Sequence, residues 1–134
     1  MMISWNESFS VGVAELDQEH RLLFSIINRL FDEVLPRQGE THGELRHILE
    51  ELEIYTRTHF KHEEEWMAKS GFEGIEEHRK QHHHFVETVQ NLQKKLQEGH
   101  FEEMVSAQTW IFLKNWLNQH ILDEDRKYDP RRKS

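Results

Sequence analysis

HFKHEEEWMAKSGFEGIEEHRKQH, residues 59–82, predicts two helices joined by a short Ser-Gly turn. His59 and Glu63 are four residues apart on the first helix, and His78 and His82 are four apart on the second. Side chains at that spacing project from one side of a helix. The turn folds the helices against each other, so we expect two facing pairs of metal-ligand side chains.

The composition limits the kinds of site and partner. The chain has 134 residues, a formal charge of −8 and a pI of about 5.7, which fits one acidic domain and argues against a coat for nucleic acid or anionic lipid. The sequence has no cysteine, which excludes disulfides, iron–sulfur clusters and thiolate zinc sites. We find no signal-peptide or membrane-span pattern, so we expect a cytoplasmic protein.

The N-terminal part predicts an arm and a first helix. Residues 1–16 are too irregular for a helix and are interpreted as an extended arm that packs across the body. Asp17 predicts the N-cap of a helix that ends near Leu35, before Pro36. His20 lies on the apolar face of that helix, in phase with leucine, isoleucine and phenylalanine at three- and four-residue steps.

Three further helices follow. Thr41 and Glu44 form a capping-box pattern that opens a helix to about Lys69, and two more are predicted over about 73–98 and from about residue 101. The connections are short, which predicts an all-α, up-down-up-down antiparallel four-helix bundle over residues 17–125. We expect residues 1–134 to form one domain, with residues 126–134 as a basic tail in solvent.

In this topology the start of the first helix, the end of the second, the start of the third and the end of the fourth lie at one end of the bundle. Asp125 follows His120 by five residues, a spacing that turns the two side chains about 140° apart on an ideal helix. The backbone must therefore bulge or break after His120 if both are to bind one centre. The candidate ligands are His20, His59, Glu63, His78, His82, His120 and Asp125.

Seven ligands exceed one tetrahedral zinc. If the two carboxylates and a solvent oxygen bridge two ions, a three-histidine ion is six-coordinate and a two-histidine ion keeps one open position. Imidazole and bridging carboxylate with an open position suit iron better than manganese or zinc.

Four segments carry a family resemblance: DQEHRLLF from residue 17, HFKHEE from 59, HRKQHHHF from 78 and WLNQHILDED from 116. They resemble the hemerythrin family, especially its bacterial single-domain members, and the likeness covers essentially the whole chain. The resemblance implies a non-haem di-iron centre that binds dioxygen reversibly.

The same resemblance assigns roles to the ligands. His78, His82 and His120 would hold one iron, and His20 and His59 the other. Two carboxylates, Glu63 and Asp125, and an oxo or hydroxo group would bridge the ions, and dioxygen would bind at the open position on the two-histidine side. The expected wall of a dry oxygen pocket is Phe60, Phe85, Trp116, Leu117 and Leu122.

The expected role is oxygen transport, storage or delivery by a stand-alone monomer, not an enzyme, with an unidentified reductase or oxygen-consuming partner. Sensing of oxygen, redox state or nitric oxide, and iron buffering, are alternatives at the same site. A ferritin-like oxidase needs ExxH on two helices, but only Glu44 and His47 fit. A zinc hydrolase needs HExxH, where this chain has Arg79 in place of the glutamate. A helical adaptor would bind no metal.

The remaining histidines and acidic residues are predicted to face water. His83 and His84 turn about 100° and 200° away from His82. We expect the same of His62 and of the neighbours Glu64 and Glu65. Three histidines, His42, His47 and His100, belong to the far end of the predicted bundle.

Overall fold

The computed structural model describes residues 4–37 and 42–131, and within these ranges it contains helices and no β-strand. The four α-helices are α1 (Ala14–Arg29), α2 (His42–Ser70), α3 (Ile75–Gln97) and α4 (Glu102–Trp116). Two of them continue as π-helix, α1 through Leu30–Val34 and α4 through Leu117–Glu124. Short 3-10 turns cover Glu7–Phe9, Leu35–Arg37 and Asp125–Tyr128.

The helices form the predicted four-helix bundle, with consecutive helices antiparallel. Each contributes an apolar stripe to one core, because its apolar residues recur at three- and four-residue steps. The completely buried members of that core are Leu23, Ile27, Leu30, Leu45, Leu49, Leu52, Phe85, Val105 and Leu113. No helix in the described ranges is long and apolar enough to cross a membrane.

The first helix starts four residues earlier than predicted, and Asp17 is not its cap. Val13 occupies the N-cap position without a side-chain capping bond. The Asp17 carboxylate instead accepts hydrogen bonds from the backbone N–H of Val11, at 2.8 Å, and from the hydroxyl of Ser10, at 2.6 Å. The prediction was wrong because Asp17 binds the arm that precedes the helix. The capping-box threonine, Thr41, lies outside the described residues.

The arm packs across the bundle and includes the 3-10 turn. Trp5 and Phe9 lie against Phe24, with ring centroids 5.5 and 4.7 Å away. Val11 is completely buried in a second apolar cluster with Leu16, Met67 and Tyr128. This cluster closes the end of the bundle that holds the candidate ligands.

The C-terminal segment does not run directly into solvent, which corrects the predicted tail. Tyr128 and Asp129 are buried. Arg131 contacts the Asp129 carboxylate at 2.9 Å and donates to the hydroxyl of Ser10 at 3.2 Å. Tyr128 falls on the inward face after the wide π turn, so it and Asp129 pack against the bundle instead of lying in solvent. Residues 132–134 lie outside the described ranges.

Candidate metal centre

All seven predicted ligands meet at one end of the bundle, and each is at most 3% exposed. Their helices bring them there from the start of α1, the end of α2, the start of α3 and the π segment after α4. The ligand atoms fall into two groups that share Glu63 and Asp125, and within each group they lie within 4.8 Å of one another. The three-histidine group contains His78, His82 and His120, and the two-histidine group contains His20 and His59.

Glu63 presents one oxygen to each group. Its Oε1 lies 3.0 Å from Nε2 of His78 and 2.7 Å from Nε2 of His82. Its Oε2 lies 3.1 Å from Nε2 of His59 and 3.4 Å from Nε2 of His20. The carboxylate therefore spans the two groups.

Asp125 repeats that arrangement from the other side. Its Oδ1 lies 2.6 Å from Nε2 of His78 and 2.8 Å from Nε2 of His120. Its Oδ2 lies 3.1 Å from Nε2 of His20. Two carboxylates thus separate two clusters of imidazole nitrogens.

The π segment explains how Asp125 reaches the centre. The backbone N–H of Asp125 donates to the carbonyl of His120, five residues earlier, which is the hydrogen-bond step of a π-helix. Side chains five residues apart then lie near one face, as they cannot in an α-helix. The expected departure from α-helix is present, but it begins at Leu117, before His120 rather than after it.

Three ligand imidazoles are oriented by a second contact on Nδ1. His59 Nδ1 lies 2.8 Å from Glu19, and His82 Nδ1 lies 2.8 Å from Glu64. A carboxylate only accepts, so each Nδ1 donates its hydrogen, and Nε2 is the nitrogen that would coordinate a metal at the centre. The third pair is His120 Nδ1 with Oε1 of Gln81, at 2.6 Å.

Sequence reasoning missed these orienting side chains, and for Glu64 it was wrong. Glu64 was expected in water but is half-buried against α3. The partners of His59, His82 and His120 lie 40, 18 and 39 residues away in sequence, so no spacing within one helix reveals them. The one weak signal is that each orienting residue is the sequence neighbour of a ligand: Glu19 precedes His20, Glu64 follows Glu63 and Gln81 precedes His82.

Several inward-facing atoms lack a hydrogen-bond partner in the described part of the chain: Nε2 of His20, Nε2 of His120 and Oδ2 of Asp125. Buried polar atoms without partners are destabilising and rare. Lone pairs of imidazole and carboxylate that face a common centre are what a cation coordinates, and this donor set suits iron. The residues therefore fit the metal that their pattern implied.

The charges of the metal-free site balance one another. Burial opposes the charged form of His20, but the adjacent carboxylates of Asp125 and Glu63 outweigh it and raise the pKa of His20 to about 9. The same competition raises the pKa of His78 to about 10. Burial also opposes ionisation of Glu63 and Asp125, yet the surrounding imidazoles hold both carboxyl pKa values well below the usual range.

Aromatic side chains cover the three-histidine group. Phe60 stacks on His82 with ring centroids 3.8 Å apart, and Trp116 stacks on His120 at 3.9 Å. Phe85 is completely buried against both aromatic rings. Among the other predicted wall residues, Leu117 is buried and Leu122 is half-buried.

Two tyrosines that the sequence did not single out border the two-histidine side. Tyr55 stacks on His59, with ring centroids 5.0 Å apart and planes 17° apart. The buried hydroxyl of Tyr128 donates to Oε2 of Glu63 at 2.9 Å.

The surface histidines are placed as expected where the structure describes their side chains. His47, His62, His83, His84 and His100 are exposed, and the side chain of His42 lies outside the described set. His62 nevertheless contacts Glu19, at 2.5 Å, and so touches the outer layer of the centre.

A family model described as "Hemerythrin HHE cation binding domain" matches residues 11–131. The chain belongs to the hemerythrin family. Among its relatives, bacteriohemerythrin of Clostridium acetobutylicum is 30% identical over 95% of this chain and 98% of its own. Myohemerythrin of Theromyzon tessulatum is 34% identical over 92% of this chain and 88% of its own. A crystal structure of wild-type hemerythrin has a TM-score of 0.81 and 28% identity, and covers 97% of each chain.

Proposed function

We propose that the seven side chains hold two iron ions and that the protein binds dioxygen reversibly, for oxygen transport, storage or delivery rather than catalysis. The observation that carries the proposal is the carboxylate geometry. Glu63 and Asp125 each present one oxygen to the three-histidine group and the other to the two-histidine group. Membership of the hemerythrin family supports the same assignment.

The two groups are unequal, which supports a ligand site on one of them. Three imidazoles would hold one ion and two the other, while the carboxylates and a solvent-derived oxo or hydroxo group bridge them. The two-histidine ion would then have one protein ligand fewer, which would leave a position for an exogenous molecule on that side. Two irons held there would supply the two electrons that dioxygen takes up on binding and returns on release.

The chain itself contributes ligand orientation and a dry surrounding. Glu19, Glu64 and Gln81 fix three imidazoles from outside. We expect the five predicted wall side chains, of which Phe60 and Trp116 stack on the three-histidine group, to keep water from that half of the centre. This role needs no acid or base catalyst. The lack of cysteine fits a reducing cytoplasm, and we expect one domain that works as a monomer with a separate reductase.

The test is iron content together with the visible spectrum of the reduced protein before dioxygen is admitted, after it is admitted, and after it is removed. We expect two irons per chain and a charge-transfer band that appears and disappears. Irreversible bleaching would indicate an oxidase, and a chain without iron would contradict the proposal.

A matched pair of variants strengthens that measurement. His120→Ala removes a buried imidazole from the three-histidine group and should lower iron content and abolish the reversible band. His84→Ala removes an exposed imidazole of the same bundle end and should preserve both. Equal behaviour of the two variants would refute the ligand assignment.

A further inference from the structure

Tyr55 has a buried hydroxyl that nothing in the proposed metal coordination uses. The residue is 5% exposed, and its hydroxyl oxygen has no hydrogen-bond partner in the described part of the chain. Phenylalanine would pack the same ring without burying an unpaired hydroxyl. Because an unpaired buried hydroxyl is destabilising, this group calls for a partner that arrives from outside the chain.

The hydroxyl belongs to the two-histidine side of the centre. Tyr55 precedes His59 by one turn of α2, and the two rings are nearly parallel. The ring of Tyr55 therefore lies beside an imidazole whose Nε2 faces Oε2 of Glu63 at 3.1 Å. A tyrosine hydroxyl is protonated at neutral pH and can donate a hydrogen bond.

Tyr128 shows the contrast. Its hydroxyl already donates to Oε2 of Glu63, at 2.9 Å. Tyr55 makes no such contact with either carboxylate, so its donor is free for a molecule between the protein and the two-histidine ion.

A surface groove borders the same two residues, Tyr55 and His59. It lies between α1 and α2, has a volume of about 470 Å³ and is lined largely by apolar atoms. Leu22 and Ile54 form exposed walls, and Tyr55 and His59 also line it. A small molecule can therefore approach these two rings without unfolding the bundle.

We propose that the Tyr55 hydroxyl donates a hydrogen bond to a small exogenous ligand with an acceptor atom, held in the two-histidine half of the centre. This inference rests on the proposed function. It makes Tyr55 a specificity residue, because small ligands that offer an acceptor, such as dioxygen or azide, gain a contact that ligands without one do not.

Azide is the probe, titrated into the full-length diferric protein and followed by its charge-transfer band. Tyr55→Phe should retain two irons and bind azide about tenfold more weakly, the loss of one hydrogen bond to a small anion. The matched control is Thr109→Val, which removes a buried hydroxyl that donates to the carbonyl of Val105 in mid-α4. That variant should leave azide affinity unchanged.

Thermal unfolding of the metal-free full-length chain supplies an independent readout. Tyr55→Phe should melt at the wild-type temperature or higher, because it removes an unpaired hydroxyl, whereas Thr109→Val should melt lower. A lower melting temperature or lower iron content for Tyr55→Phe would make the hydroxyl structural and overturn the inference. Unchanged azide affinity in Tyr55→Phe would overturn the inference about Tyr55 and leave the proposed function standing. A wild-type protein without iron or an azide band would overturn the proposed function as well.

Discussion

At the scale of single residues, the centre depends on how each imidazole is held as well as on which residues supply it. Glu64 accepts from Nδ1 of His82 at 2.8 Å, while the opposite nitrogen, Nε2, faces Glu63 at 2.7 Å. We predict that Glu64→Ala lowers iron affinity about 10- to 100-fold, because the imidazole loses the contact that fixes its ring and hydrogen position. Competition against a chelator of known affinity measures the change.

Glu65→Ala is the control for that prediction. Glu65 is exposed on the next position of α2, so its loss changes the surface charge by the same amount without freeing an imidazole. We expect iron affinity close to wild type. If both variants lost iron affinity equally, long-range charge rather than ring orientation would explain the effect.

The metal ligands could be predicted from the sequence, whereas the side chains that orient their imidazoles could not. His59 and Glu63, like His78 and His82, follow the four-residue step of a single helix, so the repeat reveals their common face. Glu64 follows Glu63 by one residue, a position that points away from the core stripe. It reaches His82 only because α3 packs beside it, and that lateral contact depends on packing rather than on spacing.

At the scale of elements, the spacing of His120 and Asp125 predicted that the fourth helix could not stay α-helical. The structure widens the helix from Leu117 to Glu124. The sequence could predict a departure from α-helix, because two side chains five residues apart cannot face one centre from an α-helix. It could not predict the residue at which the departure begins, because the hydrogen-bond step of each turn depends on packing that the sequence does not display.

The junction of the arm with the C-terminal segment gives a prediction at this scale. Gly12 has φ +76°, and a Cβ there would lie 2.5 Å from Oδ1 of Asp129. Gly12→Ala should therefore cost more than the about 1–2 kcal/mol of a left-handed backbone alone, because it also separates the arm from Asp129. Urea unfolding of the full-length protein measures the loss.

Gly71→Ala provides the matched comparison. Gly71 has φ +74° but open space around the position of its Cβ, so alanine there carries the backbone strain without a clash. The difference in unfolding free energy between the two variants measures the contribution of the contact between the arm and the C-terminal segment. Equal losses of unfolding free energy would show that the contact of arm and C-terminal segment adds no stability.

At the scale of the whole molecule, the two ends of the chain close the site together. Arg131 contacts Ser10 across 121 residues of sequence, and Tyr128 reaches Glu63 across 65. Patterns within one element cannot show such pairings, which is why a solvent tail was expected where the structure has a lid of buried residues. The bundle itself was predictable because helix period, turn length and ligand phase all favour one topology.

The buried ionisable groups of the centre make the stability of the metal-free protein depend on pH. The pKa values of His20 and His78 are raised from 6.5 to about 9 and about 10, so their contribution is complete below pH 6.5 and is lost as pH rises through those values. The pKa values of Glu63 and Asp125 are lowered, so these carboxylates contribute stability above about pH 4.5, and that contribution is lost on acidification. We predict greatest stability between about pH 4.5 and 6.5.

Urea midpoints of the chelator-treated full-length protein at pH 5.5, 7, 8.5 and 9.5, chosen to span about these limits, test this prediction. The midpoint should fall steadily across the series. His83→Ala, which removes an exposed imidazole, should show the wild-type slope, whereas His78→Gln should flatten it.

Iron reverses the dependence, because neutral imidazole binds metal and protons compete for the same lone pair. The stabilisation that iron adds should therefore grow over the same pH range. For the metal-free protein, a urea midpoint that stayed level would show that His20 and His78 do not hold the protons that the geometry assigns to them.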